Sequence, residues 1–139
     1  MTAVRRLQAL EQQAGKILLN LGYEPVIISD CIWRSRYVPY NLTARKELDD
    51  GTNDFVMVKL KISLHPFISP DQAAFFCRDE TGWLKKFTDK VPVKEPHPRF
   101  EVWISIPTNK FQIFEITRDG IREILSAEEL SRQEPPGAA

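Results

Sequence analysis

The chain has 139 residues, 42% of them hydrophobic and 27% charged, with fourteen aromatics. That length suits one ordinary domain of residues 1–132 and excludes two comfortable ones, and the balance is that of a globular chain, not a disordered one. Nineteen basic residues against nineteen acidic ones give a formal net charge of zero, which speaks against tight, non-specific binding to a nucleic-acid backbone, because counterion release by excess cations supplies that affinity.

Residues 3–21 place Leu7, Leu10, Ala14, Ile17, Leu18 and Leu21 at helical spacing, with Thr2 as the cap and Gly22 as the stop. The N-terminus has Arg5, Arg6 and Glu11 where a secretory signal would have an apolar run, and no stretch approaches the roughly 18 apolar residues of a membrane span. A cytoplasmic protein without membrane contact is the expectation. Cys31 and Cys77 stand far apart with no CxxC partner, and His65 and His97 stand alone among prolines, so a metal cluster has little support and reduced thiols are expected.

Residues 23–29 (YEPVIIS) form a strand. The stretch 30–40 mixes Trp33, Arg34, Arg36 and Tyr37 and reads as a loop or irregular strand. Two strands follow, 41–46 (NLTARK) and 55–63 (FVMVKLKIS), joined by a hairpin turn at 49–53. In the second, alternation puts Val56, Val58, Leu60 and Ile62 on one face, and Phe55, Met57, Lys59, Lys61 and Ser63 on the other.

Ser69-Pro70-Asp71-Gln72 is a helix start with a capping box, and the helix is expected to run to about Phe87. Residues 88–98 hold three prolines and read as an extended connection. Alternating strands at 100–106 and 111–117 follow, then an Asp119-Gly120 turn into residues 121–125. Ser126 to Glu129 is a second capping box opening a short helix, and 133–139 reads as a disordered tail. Strands enclosed by helices on both sides predict an α/β domain with a mixed central sheet flanked by helices.

This order resembles the PD-(D/E)XK, or restriction-endonuclease-like, nuclease superfamily, with its αβββαβ core, and in particular the archaeal Holliday-junction-resolvase type. The segment LEQQAGKILLNLGYEPV is similar to the family's first helix and places Glu11 at its glutamate. In Val38-Pro39-Tyr40-Asn41-Leu42, Asn41 stands where the metal-binding aspartate belongs. In Lys59-Leu60-Lys61, Lys61 matches the catalytic lysine and Lys59 occupies the place of the second acid. The resemblance therefore implies catalytic positions Glu11, Asn41, Lys59 and Lys61 in degenerate form. It also implies that relatives of this kind dimerise through strands like 100–117.

These nucleases hold a divalent cation between carboxylates. A neutral amide oxygen is a poor replacement for a carboxylate and a lysine would repel Mg²⁺, so the expectation is a dead site without cofactor. An active, magnesium-dependent endonuclease would need migrated acids, with Glu11 and Asp54 as ligands or Glu101 reaching across from a neighbouring strand. Arg34, Arg36, Arg45, Lys59 and Lys61, interleaved with Trp33, Tyr37 and Tyr40, could grip DNA or RNA by phosphate contacts and base stacking. The competing reading of the lysines is a solvent-facing strand protected against aggregation. Three functions stand: a degenerate nuclease-fold module binding nucleic acid or a partner, an active nuclease with migrated acids, or an assembly protein acting as a homodimer or with another protein. No glycine-rich phosphate loop, nucleophile elbow or Ser-His-Asp arrangement is present in the sequence.

Overall fold

The computed structural model describes residues 3–28, 40–90, 98–124 and 129. Helix α1 spans Ala3–Asn20, followed by strands β1 (Glu24–Ile27), β2 (Leu42–Glu47) and β3 (Asn53–Ile62). Helices α2 (Pro70–Phe76) and α3 (Arg78–Lys90) lead to β4 (Arg99–Ile106), β5 (Lys110–Thr117) and β6 (Gly120–Ile124). The six strands form one sheet in sequence order, antiparallel throughout except for the parallel β3–β4 pair. A parallel neighbour requires a crossover, which α2 and α3 supply. The expected fold class, a mixed sheet with helices on its faces, is the one observed.

Each face carries its own core. On one, α1 lays Leu10, Ala14 and Leu18 against Leu42, Ala44, Val56, Val58, Leu60, Trp103, Phe111 and Ile113. On the other, Ala73, Cys77 and Leu84 of the α2–α3 region cover Val102, Ile104, Phe114 and Ile116. Strands β4 and β5 are thus buried on both sides, which is why they read as nearly unbroken apolar runs. No helix among the described residues is long and apolar enough to cross a membrane.

Helix α1 ends where Gly22 was expected to stop it. Gly22 adopts φ of +92°, its N–H bonds the Leu19 carbonyl at 3.0 Å, and the Tyr23 N–H bonds Leu18 at 2.9 Å. These two bonds make a Schellman motif, and they fix where Tyr23 leaves the helix.

The capping box at Ser69 forms as predicted, with Gln72 and Ser69 exchanging side-chain and main-chain bonds. The single helix expected from there to Phe87 is instead two, parted at Cys77. The cause is a side chain from β3. Lys61 donates through Nζ to the Phe76 carbonyl at 2.6 Å, and Arg78 donates to the Phe75 carbonyl at 3.1 Å. A group inserted into the helical ladder is a standard cause of a kink. Residues 126–128, where the second capping box begins, the 133–139 tail and residues 30–39 lie outside the described residues.

Candidate functional site

Three places hold the residues that carry chemistry. The first is the lysine pair of β3. Lys59 and Lys61 do share a face, but it is the face roofed by α2 and α3, not an open one. Lys61 forms an ion pair with Glu80 of α3, and its ammonium lies 4.6 Å from the Phe76 ring centroid. Glu80 is buried. Lys59 is half-buried among Met57, Glu80, Trp83 and Phe100. Burial pulls its ammonium below the usual lysine range, the neighbouring Lys61 adds to this, and Glu80 opposes it. The reading of both lysines as solvent-facing is corrected by this cover: the face that alternation left polar meets a second layer of helix, which alternation along one strand does not reveal.

The remaining family-equivalent positions do not join them. Glu11 is buried on α1, which packs against the opposite face of the sheet. Asn41 does lie beside β3, where its amide oxygen accepts the Leu60 N–H at 2.8 Å and its main chain bonds Val58 and Ile28. It therefore closes the strand end. Arg45 is exposed and pairs with Glu24 at 3.2 Å; its Cα partner on β3 is Phe55, four residues before Lys59, about 13 Å along the strand. Tyr40 meets Trp83 edge-on at 6.4 Å. Arg34, Arg36, Trp33, Tyr37, Cys31 and His97 lie outside the described residues.

The second place is a polar knot where β3 and β4 begin, on the α1 face. Tyr23 donates from its hydroxyl to Asp54 at 2.5 Å and accepts from Arg99 at 3.0 Å. Arg99 pairs with Asp54 and reaches Glu101 at 3.4 Å, and the Trp103 indole N–H donates to Glu101 at 2.9 Å. Glu101 is the acid that an active nuclease would need to reach across from a neighbouring strand. It is buried, and its partners are an arginine and an indole. Asp54, the other candidate for a migrated acid, belongs to β3.

The electrostatics of the knot follow from these contacts. Burial works to raise the Asp54 carboxyl, but the Arg99 and Tyr23 hydrogen bonds and the charges of Arg99 and Lys46 outweigh it and hold it below the usual range. Burial pushes Glu101 up despite Trp103 and Arg99. Tyr23 is raised by burial and then by Asp54. Arg99 is raised: burial acts to lower it, and Asp54, Tyr23 and Glu101 prevail. A cavity of about 350 Å³ adjoins the knot, with Leu18, Leu21, Lys46 and Ile124 among its walls.

As a metal site the knot is unsuited. Its two carboxylates already share one guanidinium, so a cation would have to displace Arg99. Glu11 and Asp54, the migrated pair, lie apart: Asp54 contacts Tyr23 beyond the C-terminal end of α1, whereas Glu11 stands nine residues before Asn20, about 14 Å of helix. Among the described residues no three His, Cys, Asp or Glu side chains are grouped so as to hold a metal ion. Cys77 is a buried free thiol whose pKa burial pushes up to about 11, which disfavours the thiolate at neutral pH.

The third place is one that sequence reasoning missed. Beyond β3 the chain forms a groove of about 620 Å³ against α2, lined by Ile62, Leu64, His65, Ile68, Phe75 and Phe76 among others. Its loop is pinned from below. Gln112 of β5 holds both the N–H of Ile68 (2.8 Å) and its carbonyl (3.1 Å), and the Ser63 hydroxyl accepts the His65 N–H at 3.0 Å. Around this fixed loop Leu64 is 84% exposed, Phe67 61% and Phe75 70%. The sequence did carry a signal. Leu64 and Phe67 are apolar residues in a loop, and Phe75 falls out of phase with the buried Ala73 and Cys77.

A scan against models of known protein families finds no match, and a search of curated proteins finds no relative.

Proposed function

We propose that this chain is a catalytically degenerate, nuclease-like scaffold that works as a protein-interaction module, docking through the apolar groove between β3 and α2. The observation that carries the reading is that Leu64 and Phe75, large apolar side chains left in water, line one preformed groove, with exposed Phe67 in the loop that leads to its wall residue Ile68. Contiguous exposed apolar surface of this kind marks interaction sites on folded proteins.

Two further features support it. The antiparallel β1–β3 meander, the helical crossover and the parallel β4, with helices on both faces, agree with the architecture that the nuclease resemblance implies. At the family-equivalent positions, Lys61 is bound to Glu80 and the Phe76 carbonyl, and Glu11 lies across the sheet, so among the described residues these positions do not bring a carboxylate pair together for a metal. A nucleic-acid surface is less well supported. Of its five candidate cations, the three within the described residues are Arg45, paired with Glu24, and the half-buried Lys59 and Lys61.

Titration calorimetry with Mg²⁺ and Mn²⁺, followed by incubation with branched and single-stranded DNA, tests the catalytic half of the proposal. No heat and no cleavage are expected. Millimolar or tighter binding that Glu11→Ala abolishes would replace this reading with that of an active nuclease. For the docking half, the apolar dye anilinonaphthalene sulfonate should bind the folded protein and lose that binding in Phe67→Ser/Phe75→Ser. Unchanged fluorescence in that variant would remove the groove as the docking face.

A further inference from the structure

The α2 face carries more than apolar surface. Asp71, Phe75 and Arg78 stand at spacings of four and three residues along the α2–α3 segment, and all three are exposed. The four-residue spacing puts Asp71 and Phe75 on one stripe of α2, and Arg78, the first residue of α3, is brought to that stripe by its contacts with Phe75 across the break at Cys77. The Arg78 guanidinium stacks over the Phe75 ring at 4.3 Å, so the aromatic ring and the positive charge form one element. An acid therefore lies one turn before Phe75 and a base one turn after it.

That order is self-complementary. Turning the stripe by 180° about an axis that passes beside Phe75, perpendicular to α2, brings Asp71 of one copy toward Arg78 of the other, and the reverse. Isologous two-fold contacts require this reciprocity, in which residue i meets j and j meets i. A partner of uniform charge would meet repulsion from one end of the stripe.

The area is of the right order. Side chains of this size carry about 150–250 Å² each, so Leu64, Phe67 and Phe75 leave on the order of 400 Å² uncovered, about half of the ~800 Å² that each partner buries in a standard interface. The groove walls and the Asp71 and Arg78 stems contribute the rest.

We infer that the occupant of the groove is a second copy of this chain. Two α2 helices pack antiparallel about a two-fold axis, with Phe75 of each seated at the other's groove and two Asp71–Arg78 pairs closing the rim. This rests on the reading of the groove as a docking face.

Sedimentation equilibrium of the full chain, from about 1 to 200 µM, brackets the weaker end of interfaces of this size. A monomer–dimer equilibrium is expected, with Phe75→Ser, Asp71→Arg and Arg78→Asp each shifted to monomer by tenfold or more in Kd. The deciding arm mixes the last two variants. Each repels itself, but together they restore both opposite-charge pairs, so a heterodimer should re-form. Far-ultraviolet circular dichroism of every variant keeps loss of folding apart from loss of pairing.

A wild-type protein that stays monomeric throughout overturns the inference. So does a dimer that ignores both charge variants, or variants that fail to re-associate on mixing. Monomeric wild type that still binds the dye through Phe67 and Phe75 would leave the docking face intact and remove only the second copy. Magnesium binding lost in Glu11→Ala would instead remove the functional reading beneath it.

Discussion

The two ends of β3 solve opposite problems. At its start, Asp54 is held by Tyr23 from the end of α1 and by Arg99 from β4, and the polar groups there satisfy one another. At its far end, Ile62 and Ser63 lead into a loop whose backbone is held by Gln112 while Leu64 and Phe67 face outward. One end consumes its chemistry in cross-links; the other leaves apolar surface in water on a rigid support. Just before that loop, Lys61 shows how a residue can match a nuclease-family position and still be engaged by the fold, bonding the Phe76 carbonyl where the helix above it parts and pairing with Glu80. The difference teaches that a charged residue in a strand says little about function until its partners are known.

The largest expected effect lies at that ion pair. Glu80→Ala leaves the Lys61 ammonium without its carboxylate in a site where both side chains are mostly buried, and should cost about 3–5 kcal/mol in urea denaturation. The double variant Lys61→Met/Glu80→Leu should recover most of that loss, because no charge is then buried. A loss under about 1 kcal/mol in the single variant would show the pair to be open to water.

At the polar end, Tyr23→Phe removes one hydroxyl that both donates and accepts, with an expected cost of about 1 kcal/mol. A neutral result would mean that Arg99 and Asp54 close the knot without it.

The same knot should give the pH profile two opposed slopes. Asp54 sits below its ordinary 3.8, so its contribution is present above that pH and is lost as the pH falls through the lower folded value. Glu101 sits above its ordinary 4.5, so its contribution is full below that pH and is lost as the pH rises through the folded value. Asp54→Asn should flatten the acid limb, and Glu101→Gln should remove the decline above about 4.5. Profiles parallel to the wild type in both variants would detach these carboxylates from the pH response.

The smallest effect belongs to the groove. Phe75→Ser at an exposed position should change monomer stability by no more than about 0.5 kcal/mol while abolishing dye binding in combination with Phe67→Ser. A large loss of stability would make Phe75 a packing residue and erase the contrast between the two ends of the strand.

Much of this architecture was legible in the chain. The helical stripe of Leu10, Ala14 and Leu18, the stop at Gly22, the capping box at Ser69 and the alternation in β3 are local patterns, set by backbone geometry within a few residues. They suffice for an α/β sheet with covered faces. Sequence could also place Lys59 and Lys61 on one face, because alternation is a property of the strand alone.

What covers that face is not local. Whether Lys61 meets water or Glu80 depends on a helix nineteen residues onward folding back over the sheet. Tyr23 and Arg99, 76 residues apart, meet only because the parallel β3–β4 register brings Arg99 to the start of β3, where Asp54 and the Schellman turn of α1 present their side chains. Periodicity reads one element at a time and fixed the faces here; partners across elements were decided by packing, and with them which charges are paired and which apolar side chains remain exposed.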